Sequence, residues 1–161
     1  MKLIQYRKFS LLILITFFIF YSKLFSSEYN DVIQKVFGNR KIDAIEGIWV
    51  KTFANQGPTG CVTMFYEDQE DYYQIHIDKC FVMGKITGKQ KKQSTTNYKG
   101  ENAVYFYDGK IIWEPSSIEI DKNLNSLSIT HGSYNNIFTE KWKRVWPDNI
   151  LDYNETIVGN K

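Results

Sequence analysis

The chain is predicted to be all-β: a small antiparallel up-and-down β-barrel preceded by a short helix, with a two-sheet β-sandwich as the alternative. Three observations lead there. Between Glu46 and Trp146, period-two runs alternate with turn signals. The chain holds 11 Tyr, 11 Phe and 4 Trp, residues that suit strands. Strands that follow one another in simple succession, each half apolar, must bury one face and hide their edges, and closing the sheet does both.

The elements follow in order. Lys2, Arg7 and Lys8 precede an apolar run from Leu11 to Tyr21, and Ser26 and Ser27 follow it. A basic start, a short apolar core and small residues behind it read as a signal peptide over residues 1–27. The run is short for a membrane span, which needs about 20 apolar residues. The chain is therefore expected to be exported, periplasmic or extracellular after cleavage, with an uncleaved leader as the other outcome. Of the 20 basic residues, four (Lys2, Arg7, Lys8 and Lys23) lie in the leader, which has no acid. The remainder carries 16 basic against 18 acidic residues. That balance argues against nucleic acid as a partner, because phosphate binding rests on a basic surface.

Residues 28–38 are the one helical candidate, with Val32, Ile33, Val36 and Phe37 on one face and Gly38 at the C-terminal cap. The barrel domain is expected over residues 46–146, with residues 147–161 as a C-terminal tail. Its strands are predicted at Gly47–Phe53, Cys61–Glu67, Tyr72–Asp78, Phe81–Ile86, Asn102–Tyr107, Lys110–Glu114, Ser117–Asp121, Ser126–His131 and Ile137–Trp146. Asp68 to Asp71 form an acidic turn, Asp108-Gly109 a two-residue hairpin turn, and residues 87–100 a long loop. Pro147 ends the last strand.

Cys61 and Cys80 are the only cysteines. In an oxidising compartment an even count reads as a disulfide, with two buried thiols as the alternative. A register that sets Met64 opposite Ile77 and Val62, Met64 and Tyr66 on one face with Tyr73, Ile75 and Ile77 also sets Cys61 opposite Cys80. In the later hairpin Ile120 faces Leu127 and Ile118 faces Ile129.

Gly47-Ile48-Trp49 opens the first strand and Trp142-Lys143-Arg144-Val145 lies on the last. This pair of end motifs resembles the lipocalin and wider calycin pattern. It also resembles a group of small exported bacterial proteins that begin with Gly-x-Trp, close on Trp-x-Arg-Val and have no established activity. The calycin resemblance implies that Trp49 plugs one end of a barrel and that Arg144 covers its ring, a cation–π contact worth about 0.5–2 kcal/mol.

Candidate chemistry is sparse. His76 and His131 are the only histidines and read as isolated surface residues. A zinc site needs about three or four ligands, so no metal and no cofactor is expected. No nucleophile elbow or positioned acid–base pair is legible, so an enzyme is not expected. Lys85, Lys89, Lys91, Lys92 and Lys99 form an acid-free run, read as a solvated loop or as a contact for an anionic lipid or protein partner. The remaining excess is aromatic. If the barrel is hollow, inward residues such as Met64, Ile77, Phe106 and Trp113 would line a cavity for a small apolar or amphipathic ligand. If it is filled, the expected role is a structural or protein-interaction module of the cell envelope.

Overall fold

The structure, a computed structural model, describes residues 29–106, 108–133 and 136–159. The predicted signal peptide lies outside them. Two compact units, Met1–Asn39 and Arg40–Lys161, divide the chain. In the first, helix α1 spans Asn30–Val36. Asp31 in its first turn and Lys35 in its last suit the helix dipole. Gly38, at φ +52°, turns its N–H back to the Ile33 carbonyl and closes the helix.

The second unit is a closed barrel of eight antiparallel strands in sequence order. They are β1 (Gly47–Ala54), β2 (Val62–Asp68), β3 (Asp71–Asp78), β4 (Ile86–Lys92), β5 (Asn97–Tyr105), β6 (Ile111–Ile120), β7 (Ser126–Ser133) and β8 (Asn136–Trp146). Strand β1 pairs with both β2 and β8, so no edge is left open. Helix α2 (Ile150–Gly159) follows where a tail was expected. Asn149 caps it by accepting from the Leu151 N–H at 3.0 Å. The Tyr153 ring meets the Trp146 ring edge-on at 5.2 Å, and Asn154 exchanges two 2.9 Å hydrogen bonds with the Ile42 backbone.

Three strand expectations need correction. Residues 87–100 are not a loop but most of β4 and the start of β5, joined by a short turn, and Phe81–Val82 belong to a loop. The strand pattern was invisible because, apart from Tyr98, the inward positions here are Gly88, Gln90, Gly100 and Asn102, which carry no apolar alternation. Gly100 is needed: a Cβ there would sit 1.9 Å from the Lys89 carbonyl oxygen. Second, Lys110–Glu114 and Ser117–Asp121 are one strand, β6. Pro115 pairs with Glu101 on β5, while pairing with β7 begins only at Ser116, so the proline sits where the strand has one neighbour. Third, the β2–β3 hairpin turns on two residues, Gln69 and Glu70, with φ +52° and +72°, and Met64 pairs with Ile75 rather than Ile77. Both positive angles fit a type I′ turn, which normally advertises itself by glycine. A bulge at Ile77, between the Val62↔Asp78 and Thr63↔His76 pairs, then returns the chain to a path that brings Cys80 to Cys61. The disulfide is formed, with the two Cα atoms 4.7 Å apart. The pairs Ile118↔Ile129 and Ile120↔Leu127 occur as expected.

Candidate functional site

The lumen has two halves of different character. Toward the end where β1 begins and β8 finishes, it is packed with buried side chains: Trp49, Phe65, Tyr72, Tyr98, Ile118, Ile129 and Trp142. Tyr72 and Tyr98 meet edge to face at 5.1 Å. The Arg144 guanidinium lies 4.0 Å from the Trp49 ring centroid and donates to three carbonyls: Glu46 and Leu124 at 2.7 Å, and Ala44. Trp49 donates its ring N–H to the Ile45 carbonyl at 2.9 Å. Burial lowers the Arg144 pKa to about 9. Gly47, at φ +126°, lets β1 pass β8 here; a Cβ would sit 2.2 Å from the Trp146 carbonyl oxygen. Glu46, fully buried, accepts from the Asp43 and Glu67 N–H groups at 2.9 Å and pairs with Arg40.

The other half is polar and opens to solvent between the β1–β2, β3–β4, β5–β6 and β7–β8 connections. A cavity of about 210 Å³ lies here, and its lining includes Lys51, Gln74, His76, Asn102, His131 and Glu140. Lys51 on β1 bonds Glu140 on β8 at 2.6 Å, and the Trp142 ring N–H donates to the second carboxylate oxygen at 3.1 Å. Beneath the cavity a chain of polar side chains crosses four strands, β3 to β6. Asn102 donates to Gln74 at 3.3 Å, Gln90 donates to Asn102 at 2.7 Å, and Gln90 and Ser116 meet at 2.8 Å. His131 stacks on Phe138, ring centroids 4.9 Å apart. Its Nδ1 lies 3.8 Å from Glu114 Oε2, too far for a hydrogen bond, and neither buried atom has another partner. Burial and the Lys51 charge pull the His76 pKa down to about 4. Burial lowers that of His131 as well, against the opposing pull of Glu140 and Glu114.

Both histidines therefore face the lumen, which corrects their reading as surface residues. The four residues expected to line a cavity do not. Met64 is buried on the outer wall, between the inward Thr63 and Phe65; Ile77 is the half-buried bulge residue. Phe106 and Trp113 are exposed. The reason is an inversion of polarity: in β2 and β3 the continuous apolar face is the outer one, and Gln74 and His76 point inward. A period of two reveals two faces but not which of them closes on the lumen. The lysine run is also dispersed. Lys89 pairs with Asp71 at 3.0 Å and Lys92 with Asp43 at 2.7 Å; Lys91 lies 3.9 Å from Asp71. Lys99 is exposed on β5, and Lys85 stands apart in the β3–β4 loop.

Sequence reasoning missed Lys51, Gln74, Asn102, Glu114 and Glu140. Glu140 could have been found from Trp142, two residues away on the same face of β8. Cys61, Cys80 and His76 place ligand-type atoms within 4.8 Å of one another, but the two sulfurs are spent in the disulfide and are not thiolate donors. The closed eight-stranded antiparallel barrel is lipocalin-like in architecture. Comparison with known family models, curated proteins and solved structures finds no match to the chain.

Proposed function

We propose that the protein is an exported barrel that binds a small amphipathic molecule, polar group first, in the open half of its lumen. The observation that carries this reading is the pair of buried, unpartnered atoms beside the cavity, His131 Nδ1 and Glu114 Oε2. A buried polar group without a partner costs about 1–3 kcal/mol, and a ligand able to bridge the two would recover it. The cavity is smaller than the roughly 300 Å³ at which drug-sized pockets begin, so the enclosed part of the ligand is a head group. The apolar residues at the mouth, Phe81 and Phe138, would hold the remainder. This moves the expected ligand from apolar toward polar, because Lys51, Glu140 and the amides are the groups it meets. Export rests on the basic-apolar leader and on the disulfide, which suits an oxidising compartment. Kinship with the calycins, and with the exported bacterial proteins sharing the two end motifs, belongs to the same reading.

The test is a native mass spectrum of the protein recovered from a bacterial periplasm after expression with its own leader. An adduct released on collisional activation, and absent from a His131→Phe variant with unchanged melting, is the expected result. A bare chain that stays bare after incubation with a lipid and metabolite extract would sink it. That outcome would favour a second reading, a structural or protein-interaction module of the envelope, which is supported by the dense packing of the other half of the lumen.

A further inference from the structure

The exposed large apolar residues of the barrel are not scattered. Among the described residues, those on strands and strand connections all lie toward the open end. Phe81 and Met83 stand in the β3–β4 loop, 64 % and 60 % exposed. Phe106 and Ile111 flank the β5–β6 turn, Ile137 is the second residue of β8, and Phe53 lies near the end of β1. Trp113, 43 % exposed, sits two residues into β6 on the outer wall, just behind this rim. At the opposite end the β2–β3 turn is acidic, with Asp68 and Glu70, and the exposed large apolar residues are two on helix α2, Leu151 and Val158, with none on a described strand connection. Isolated surface apolar residues need no explanation; a ring of them at one end does.

The balance of charge follows the same division, because exposed lysines at the packed end such as Lys91 and Lys92 sit beside Asp71 and Asp43. Lys79, Lys85, Lys110 and Lys141 are exposed at the open end. The acids there are Asp78, which lies 3.8 Å from Lys79, and Asp108, which accepts from the Lys110 backbone N–H. The Lys141 ammonium rests 5.9 Å from the Phe53 ring centroid, so the lysine stem lies along apolar surface. Apolar wedges on separate hairpin tips, spaced around an opening and interleaved with lysines, make a poor contiguous core for a protein interface. They fit a fluid surface that each can enter independently, with the lysines at the level of anionic head groups.

We propose that the barrel docks mouth-down on an anionic lipid surface, inserting the rim formed by Phe81, Met83, Phe106, Ile111 and Ile137. The inference goes beyond the cavity reading and survives its failure, since nothing in it depends on what the lumen holds.

Trp113 makes the test direct. Trp49 and Trp142 are buried and the half-buried Trp146 lies at the opposite end of the barrel, whereas Trp113 stands behind the rim. The full chain is mixed with vesicles of phosphatidylglycerol and phosphatidylethanolamine that carry brominated acyl chains. Quenching that disappears in a Trp113→Phe variant is expected. A Phe81→Ser/Met83→Ser variant should need about tenfold more lipid for half-maximal quenching, since two exposed apolar side chains are removed. Its melting midpoint, measured alongside, should stay at the wild-type value. Chain that sediments with the vesicles while Trp113 stays unquenched would overturn the proposal, because the leader or another surface would then be the anchor. Equal quenching by brominated phosphatidylcholine would overturn the anionic requirement. A concentration-dependent blue shift of Trp113 without lipid would assign the rim to a second copy of the chain instead.

Discussion

At one end of the barrel Trp49, Tyr98 and Trp142 fill the lumen and Arg144 seals it through three carbonyls and an indole face; at the other, Lys51, Glu140, Gln74 and two histidines surround open space. The same eight strands build both. The packed half gains from burial of apolar area and from the hydrogen bonds of Arg144 and Trp49, which outweigh the one buried hydroxyl, that of Tyr98, left without a partner there. The open half keeps polar groups that pack less well, including two buried atoms with no partner. Stability is thus concentrated at one end and binding capacity at the other, and substitutions at the two ends should separate the two properties.

The largest effect is expected at the packed end. Trp49→Ala should cost about 3–5 kcal/mol, the range for truncating a buried large aromatic. Arg144→Ala should cost a similar amount, because it leaves the Ala44, Glu46 and Leu124 carbonyls without their donor, each worth roughly 1–3 kcal/mol when buried. Denaturant midpoints for either variant within error of wild type would mean that this end is not the stabilising half.

The disulfide comes next. Cys61 belongs to the packed cluster and Cys80 rests against it, while the sequence between them runs through the β2–β3 hairpin. Closing a loop of about 20 residues should stabilise by about 3 kcal/mol. Reductant should therefore lower the denaturation midpoint of the wild type and leave a Cys61→Ser/Cys80→Ser variant unchanged. Two titratable thiols in the unreduced, unfolded chain would remove the basis of this expectation.

The legibility of the sequence divides along the same line. Gly47, Trp49 and Arg144 carry the packed end in a pattern readable by type and position, because large and conformationally special residues leave few alternatives. The strand-rich composition points to the barrel for the same reason, whereas Asp108-Gly109 lies within a longer β5–β6 connection, closed by the Tyr105↔Ile111 pair, rather than forming a two-residue turn. The open end was hidden because its inward residues are polar. Gly88, Gln90, Gly100 and Asn102 imitate a loop, and Gln74 and His76 imitate the solvent side of a hairpin whose apolar face in fact forms the outer wall. Helix α2 was hidden as well: its ten residues hold few core positions, with only Ile150 fully buried. The β2–β3 register slipped because a type I′ turn at Gln69 and Glu70 lacks the glycine that marks such turns, and the bulge at Ile77 compensates where sequence cannot show it.

A third prediction concerns pH at the open end. His76 has a folded-state pKa of about 4, below its ordinary 6.5, through burial and the Lys51 charge. A neutral histidine so placed contributes stability that is complete above the unfolded value and is lost as pH falls toward the folded one. The window is therefore roughly pH 6.5 to 4, and the loss amounts to about 3 kcal/mol at most, at 1.36 kcal/mol per unit. His131 shifts in the same direction. Wild type and His76→Gln should differ more at neutral pH than at pH near 4, with the wild type losing more on acidification. Parallel pH profiles for the two proteins would show that His76 is not held neutral.

The smallest effect on stability should come from the centre of the cavity. Lys51 and Glu140 form a largely buried pair lining the cavity, with about a tenth of each side chain still exposed. Replacing both by uncharged residues of similar size removes one charge with the other, so Lys51→Met/Glu140→Gln should fold within about 1 kcal/mol of wild type. The carboxamide oxygen of the substituted side chain could still accept from the Trp142 indole N–H, as the Glu140 carboxylate does, which keeps the packed half in place. If the open half exists to hold a ligand, the same variant should lose any adduct seen by native mass spectrometry while its melting curve barely moves. A variant that keeps its adduct would place the ligand elsewhere, and one that loses several kcal/mol would show the pair to be part of the structural core, erasing the division between the two ends.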